Sequence, residues 1–365
     1  MQITPKAGRK HHIDLLKAFA IFSVVLYHLT TYQCDILETG SFGDYFRYLS
    51  RPLLSACVPL FFLINGYLVL NKPLDLRSHV NRMLKLVLLT FLWGVIGLFA
   101  YMGITGAELT AGDFFWNLWH WLPNKWINHL WYMGALVCIY IFLPLIKYVF
   151  DHARNIFNYL MIIAGIFTFG DRIINDIITI FGNLWFDTDF LLNENTLNFF
   201  NPFRGIYGYS FVYFCFGGHI AGREEKLRAL PARTRNISAL IGLIINSFLL
   251  WGQGIYYSNI SGNVWDIVWN GYDSVFTFSI AFCLYVLSLN YNTGIPIIQK
   301  IASNTLGIYF MHNIPVQLIR LSLSENLLLG TSVLGNSIAA LGIIAYCLAL
   351  CIVIKKSDLW RWLIT

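Results

Sequence analysis

Long apolar stretches recur along the chain, separated by short polar segments. A helix crossing a bilayer needs about 20 mainly apolar residues, and such stretches fall near 13–31, 52–70, 83–103, 130–149, 156–181, 205–221, 237–255, 271–290, 301–321 and 334–354. They predict an all-α, polytopic membrane helix bundle of about 10 transmembrane helices, with 11 left open. The fifth stretch is interrupted by "GDRIIND" (170–176), which fits a broken helix, a re-entrant one or a wrongly drawn span. Residues 1–31 begin with the basic residues of a signal peptide. Their apolar run is longer than a usual h-region and lacks a small-x-small cleavage site, so an uncleaved first span is expected. No internal repeat or appended soluble segment stands out, and a single integral-membrane domain over residues 1–365 is expected.

The polar positions inside these stretches carry the chemistry. The first reads "HHIDLLKAFAIFSVVLYHLT" (11–30) and contains Asp14, Lys17 and His28. At ~3.6 residues per turn, Lys17 and His28 project within about 20° of each other, about 16 Å apart along the axis. Asp14 lies three residues before Lys17, close enough to pair with it. An interfacial pair with a snorkelling lysine accounts for Asp14 and Lys17 equally well. His28 cannot snorkel far and must face the bundle or a water-filled cavity. A neutral imidazole there can serve as a general base, or be a hydrogen-bonded structural residue.

Composition agrees with the pattern. The 365 residues are 57% hydrophobic and 12% charged, about half the ~25% charged content of a soluble domain. The net charge of +6 does not suggest nucleic acid, because the basic residues are dispersed among short loops. Lys6, Arg9 and Lys10, then Lys72, Arg77, Arg82 and Lys85, then "REEKLRALPARTR" (223–235), then Lys355, Lys356 and Arg361 all fall on one side of a ten-span chain. The opposite loops hold Asp35, Glu38, Asp44, Glu108, Asp113, Asp187, Asp189 and Glu194. By the positive-inside rule both termini are therefore expected to be cytoplasmic. Of the seven cysteines only Cys34 sits in an expected loop, so they read as packing residues. The loop 104–129 holds Trp116, Trp119, Trp121 and Trp126, an aromatic interface belt or a platform for sugar rings.

Six stretches, in order, resemble the acyltransferase 3 family of bacterial membrane acyltransferases. They are "KAFAIFSVVLYH" (17–28), "VPLFFLINGYLVL" (58–70), "RMLK" (82–85), "HLWYMGAL" (129–136), "YFCFGGHIAGR" (213–223) and "SNTLGIYFMHNIP" (303–315). Lys17 and Lys85 stand where the family usually has Arg, which keeps the charge but loses a bidentate fork. Asn65 stands where Ser is common. The likeness is to short members without an appended hydrolase-like domain, which commonly O-acetylate surface polysaccharides or their lipid-linked precursors.

The resemblance implies an acyl-CoA-dependent O-acyltransferase of the bacterial cytoplasmic (inner) membrane. Acetyl-CoA is the expected donor and a glycan or lipid-linked glycan the acceptor. Membrane lipid surrounds the chain, no metal is expected, and a homo-oligomer is left open. His28 is the expected base, served by Asp14 and Lys17; Arg82, Lys85 and Arg77 would receive the CoA phosphates. Topology alone is the simpler account of Arg77 and Lys72. Asn65, His129, Tyr132, Tyr309 and His312 are expected oxyanion donors or acceptor contacts, and Trp131 interfacial packing. Asp171, Arg172 and Asp176 would pair and line the cavity unless the fifth span is misdrawn. Arg204 and Arg320 would anchor the outer face or meet an anionic head group. A transporter or exporter of a glycan, lipid-linked sugar or small molecule is the alternative, since such folds also bury charges and break helices.

Overall fold

The computed structural model describes residues 8–30, 36–38, 40–190, 197, 208–323 and 332–364. Arg204, Cys34, Asp35 and Glu194 lie outside the described residues. The chain is helical, with no strand among the described residues. Six segments are long and apolar enough to cross a membrane: His11–Leu29, Phe42–Val69, Leu76–Thr105, Asn128–His152, Ala232–Ser261 and Val333–Ile354.

The first span is α1 (His11–Thr30) and the second is built from α2 (Phe42–Leu49), α3 (Arg51–Ser55) and α4 (Cys57–Val69). Next come α5 (Leu76–Thr105), the amphipathic α6 (Ala111–His120) and α7 (Trp131–His152). The expected fifth span does not break at "GDRIIND". α8 (Arg154–Gly165) passes through a π-helical turn at Ile166–Gly170 directly into α9 (Asp171–Phe186). α10 (Gly208–Ala221), the short α11 (Glu224–Ala229) and α12 (Ala232–Ser261) follow. Then come α13 (Ile267–Asn270) and the 14-residue α14 (Val275–Ser288). The expected ninth span is three pieces, α15 (Pro296–Ser303), α16 (Thr305–Met311) and α17 (Asn313–Leu323), before α18 (Val333–Ile354) and α19 (Asp358–Arg361).

The long helices start and stop where local chemistry says they should. Asp75 caps α5 by accepting from the Ser78 N–H, and Gly106 ends it in the left-handed region at φ +69°. Ser332 caps α18 in the same way. α1 is the central post, packed against α3, α4, α14, α15, α16, α17 and α18. Its buried stripe of Ile13, Leu16, Ala20, Ile21, Val24 and Val25 meets these neighbours. The closest helix pair is α4 and α10, whose backbones touch through glycines. A Cβ on Gly66 would stand 1.7 Å from the Phe214 carbonyl oxygen, and one on Gly217 would stand 1.9 Å from that of Leu63. The outer faces of α12 and α18 expose Ile241, Ile245, Phe248, Leu334, Ile338 and Leu341, a surface suited to lipid acyl chains.

Candidate active site

Beside α1 lies a cavity of about 710 Å³ lined by His28, His129, Tyr132, Tyr309, Asp266 and Arg320, among others. A second cavity of about 290 Å³ lies toward the start of α1, lined by Lys17, Asn65, Leu86, Tyr140, Ser303 and Thr305. Phe61, Tyr132 and Tyr309 line both. Lys17 therefore lines one chamber and His28 the other, and three aromatic side chains belong to the walls of both.

Three histidines gather at the His28 end. The His312 ring lies 5.3 Å from that of His28 and 5.1 Å from that of His129, centroid to centroid. His312 is fully buried, with its Nδ1 2.6 Å from the Tyr309 carbonyl. A carbonyl only accepts, so Nδ1 carries the proton and Nε2 keeps its lone pair. Nε2 of His312 has no hydrogen-bond partner among the described residues. The Tyr309 hydroxyl donates to the His129 carbonyl, joining "HLWYMGAL" to "SNTLGIYFMHNIP". Asn313 Nδ2 binds the carbonyls of Lys125 and Trp126, each at 2.8 Å, and pins the loop before α7 onto α17.

Several wall residues were not anticipated from the sequence. Tyr27 donates to Asp266 at 2.6 Å, and Arg51, itself buried, stands 3.8 Å from the same carboxylate. Asp266 also caps α13 through the N–H groups of Val268 and Trp269. A four-residue helix leaves no periodic signal, so nothing in the sequence marked Asp266. Trp131 was expected to pack at the interface. Instead it is buried in the cavity wall, 5.3 Å from the Trp269 ring.

Other sequence expectations change as well. Asp14 does not form its ion pair with Lys17; it binds Arg9 at 2.5 Å, because Arg9 folds back along α1 and is held by the Gln299 carbonyl and Ser303 Oγ. Arg77, Arg82 and Lys85 of α5 line neither cavity, and Arg77 and Arg82 are exposed. Asp176 accepts from Tyr257 and, at 2.7 Å, from Gln253, with Arg172 at 3.2 Å. These groups staple α9 to α12 instead of lining the cavity. Of the tryptophans, Trp116 and Trp119 are exposed on α6, while Trp126 is buried against Tyr101.

At the Lys17 end, buried Glu224 gathers Lys10 at 3.0 Å, Arg228 at 2.7 Å and the Tyr67 hydroxyl. Burial works to raise its pKa, but the hydrogen bonds from Tyr67, Arg228 and Lys10 outweigh it and hold the carboxyl at about 2.

The model of the acyltransferase 3 family, described as an acyltransferase domain, matches residues 10–356 of the chain. The chain belongs to the acyltransferase 3 family. No curated protein and no solved structure matches it. The match runs from the turn before α1 to just past α18, so both cavities of this acyltransferase lie inside it.

Proposed function

We propose that this membrane acyltransferase moves an acyl group, acetyl in the first instance, from cytoplasmic acyl-CoA to a hydroxyl of a cell-surface polysaccharide or its lipid-linked precursor. The supporting observation is that two cavities share Phe61, Tyr132 and Tyr309 in their walls, with Lys17 lining one and His28 the other; in this reading those rings flank an open neck. In this reading about ten helices cross the bacterial inner membrane, both termini are cytoplasmic, and residues 1–365 act as one domain. CoA phosphates dock near Arg82 and Lys85, with Lys17 at the inner chamber. The pantetheine arm extends through that chamber and brings the thioester to the neck. The acceptor enters the larger cavity.

The acceptor hydroxyl gives its proton to His28 as its oxygen bonds to the thioester carbonyl carbon. Collapse of the tetrahedral intermediate breaks the C–S bond, and the CoA thiolate takes the proton back from His28. His312 packs beside His28 and keeps it seated. The test is CoA release from acetyl-CoA by purified protein in nanodiscs, with membrane glycolipid extract as acceptor. His28→Ala should lower turnover by about 10²–10⁴-fold while the protein still folds and binds acetyl-CoA. Undiminished turnover in that variant would remove His28 as base.

A further inference from the structure

The two tyrosines at the neck differ in one respect that bears on catalysis. The Tyr309 hydroxyl hydrogen is already committed to the His129 carbonyl. The Tyr132 oxygen instead receives a hydrogen bond, at 3.1 Å, from Asn65 Nδ2. The amide's orientation is fixed, because Nδ2 also binds the Phe61 carbonyl at 2.9 Å and a carbonyl can only accept. Its Oδ1 in turn accepts from the Tyr140 hydroxyl at 3.2 Å. The chain Tyr140, Asn65, Tyr132 therefore runs in one direction, and the Tyr132 hydrogen at its end has no acceptor among the described residues. Packing holds the phenol in place, with the Phe62 ring at 4.8 Å and the Tyr309 ring at 5.5 Å.

We infer that Tyr132 is the oxyanion donor to the acyl carbonyl and that Asn65 is the positioning residue that aims it. The inference rests on the acyl-transfer reading above. Tyr132 lines both chambers, and its hydroxyl is held by Asn65 of the inner one; in the acyl-transfer reading a thioester arriving from the Lys17 side passes it on the way to an acceptor on the His28 side. As the hydroxyl attacks, the carbonyl carbon–oxygen π electrons move onto oxygen. A preorganised donor that is itself buried stabilises that charge without reorganising at the moment of reaction. Hydrogen bonds along a chain polarise one another, which makes the terminal phenol a stronger donor.

The experiment measures acetyl-CoA binding and transfer in nanodiscs for wild type, Tyr132→Phe, Asn65→Ala and the double variant. Tyr132→Phe should lower kcat by about 10²–10³-fold, with acetyl-CoA binding changed by no more than about twofold. Asn65→Ala should cost less, and adding it to Tyr132→Phe should cost nothing further, because it acts through the phenol. Unchanged kcat in Tyr132→Phe would overturn the assignment. So would parallel loss of binding and turnover, which is the mark of a wall residue, or an additive double variant. A wild type that neither binds nor consumes acetyl-CoA would remove the transfer reading itself, and the Tyr132 role with it.

Discussion

If acyl-CoA docks as proposed, Arg82 is the residue whose loss separates donor binding from chemistry. It is exposed on α5, where among the described residues its side chain bonds only the Ser78 carbonyl of its own helix. Arg82→Ala should raise KM for acetyl-CoA by about tenfold, the loss of one charge-assisted phosphate contact, and leave kcat near wild type; steady-state kinetics over donor concentration reads this out. Arg77, whose charge the positive-inside rule alone explains, should show little change. At this scale the sequence was informative where a residue departs from its surroundings. His28 and Lys17 stand out as polar groups in an apolar helix, eleven positions apart on one face. Asp266, Arg51 and Tyr27 did not stand out, because their meeting depends on a short loop helix brought against α1 and α3. Asp14 pairs with Arg9 instead of Lys17, because i, i+3 spacing permits a pair without deciding it.

Between elements, the strongest claim concerns α4 and α10. With no room for a Cβ at Gly66 or Gly217, alanine at either position must push two backbones apart. Such overpacking typically costs about 1–3 kcal/mol, so Gly66→Ala and Gly217→Ala should each lower the detergent Tm measurably. Gly103→Ala, in open space, should not. The shift at α4 would also move Phe61 and Asn65, so turnover should fall even in protein that remains folded. The long spans were legible because a window of about 20 apolar residues has few other uses. The stretch 296–323 was not, since α15, α16 and α17 break at Asn304 and His312 within an otherwise apolar run. The second break sets His312 against His28 and His129.

For the whole molecule, the Glu224 cluster fastens the Lys17 end of the bundle. Lys10 and His12 come from the start of the chain, Tyr67 from α4, and Arg228 reaches the Leu289 carbonyl at 2.6 Å beyond α14. With its carboxyl held at about 2 against an ordinary 4.5, Glu224 contributes stability that is present above the ordinary value and lost as pH falls from there toward 2. Thermal melts across that range should show an acid-side loss in wild type that Glu224→Gln, already less stable at neutral pH, lacks. None of this was legible in the sequence, where "REEKLRALPARTR" reads as an ordinary charged loop and its buried partners lie far away along the chain. The two chambers with three aromatic wall residues in common, which the proposal joins by a neck, are likewise a tertiary property.

The central claim is that the acyl group passes through that neck from the Lys17 side to the His28 side. It is tested most directly in sealed proteoliposomes of known orientation, with labelled acetyl-CoA on the side of the chain's N-terminus and glycan acceptor only on the other. The account predicts label on the acceptor together with free CoA on the donor side, and neither product with His28→Ala. Transfer only when donor and acceptor share one side, or passage of the acceptor without any consumption of acetyl-CoA, would contradict it.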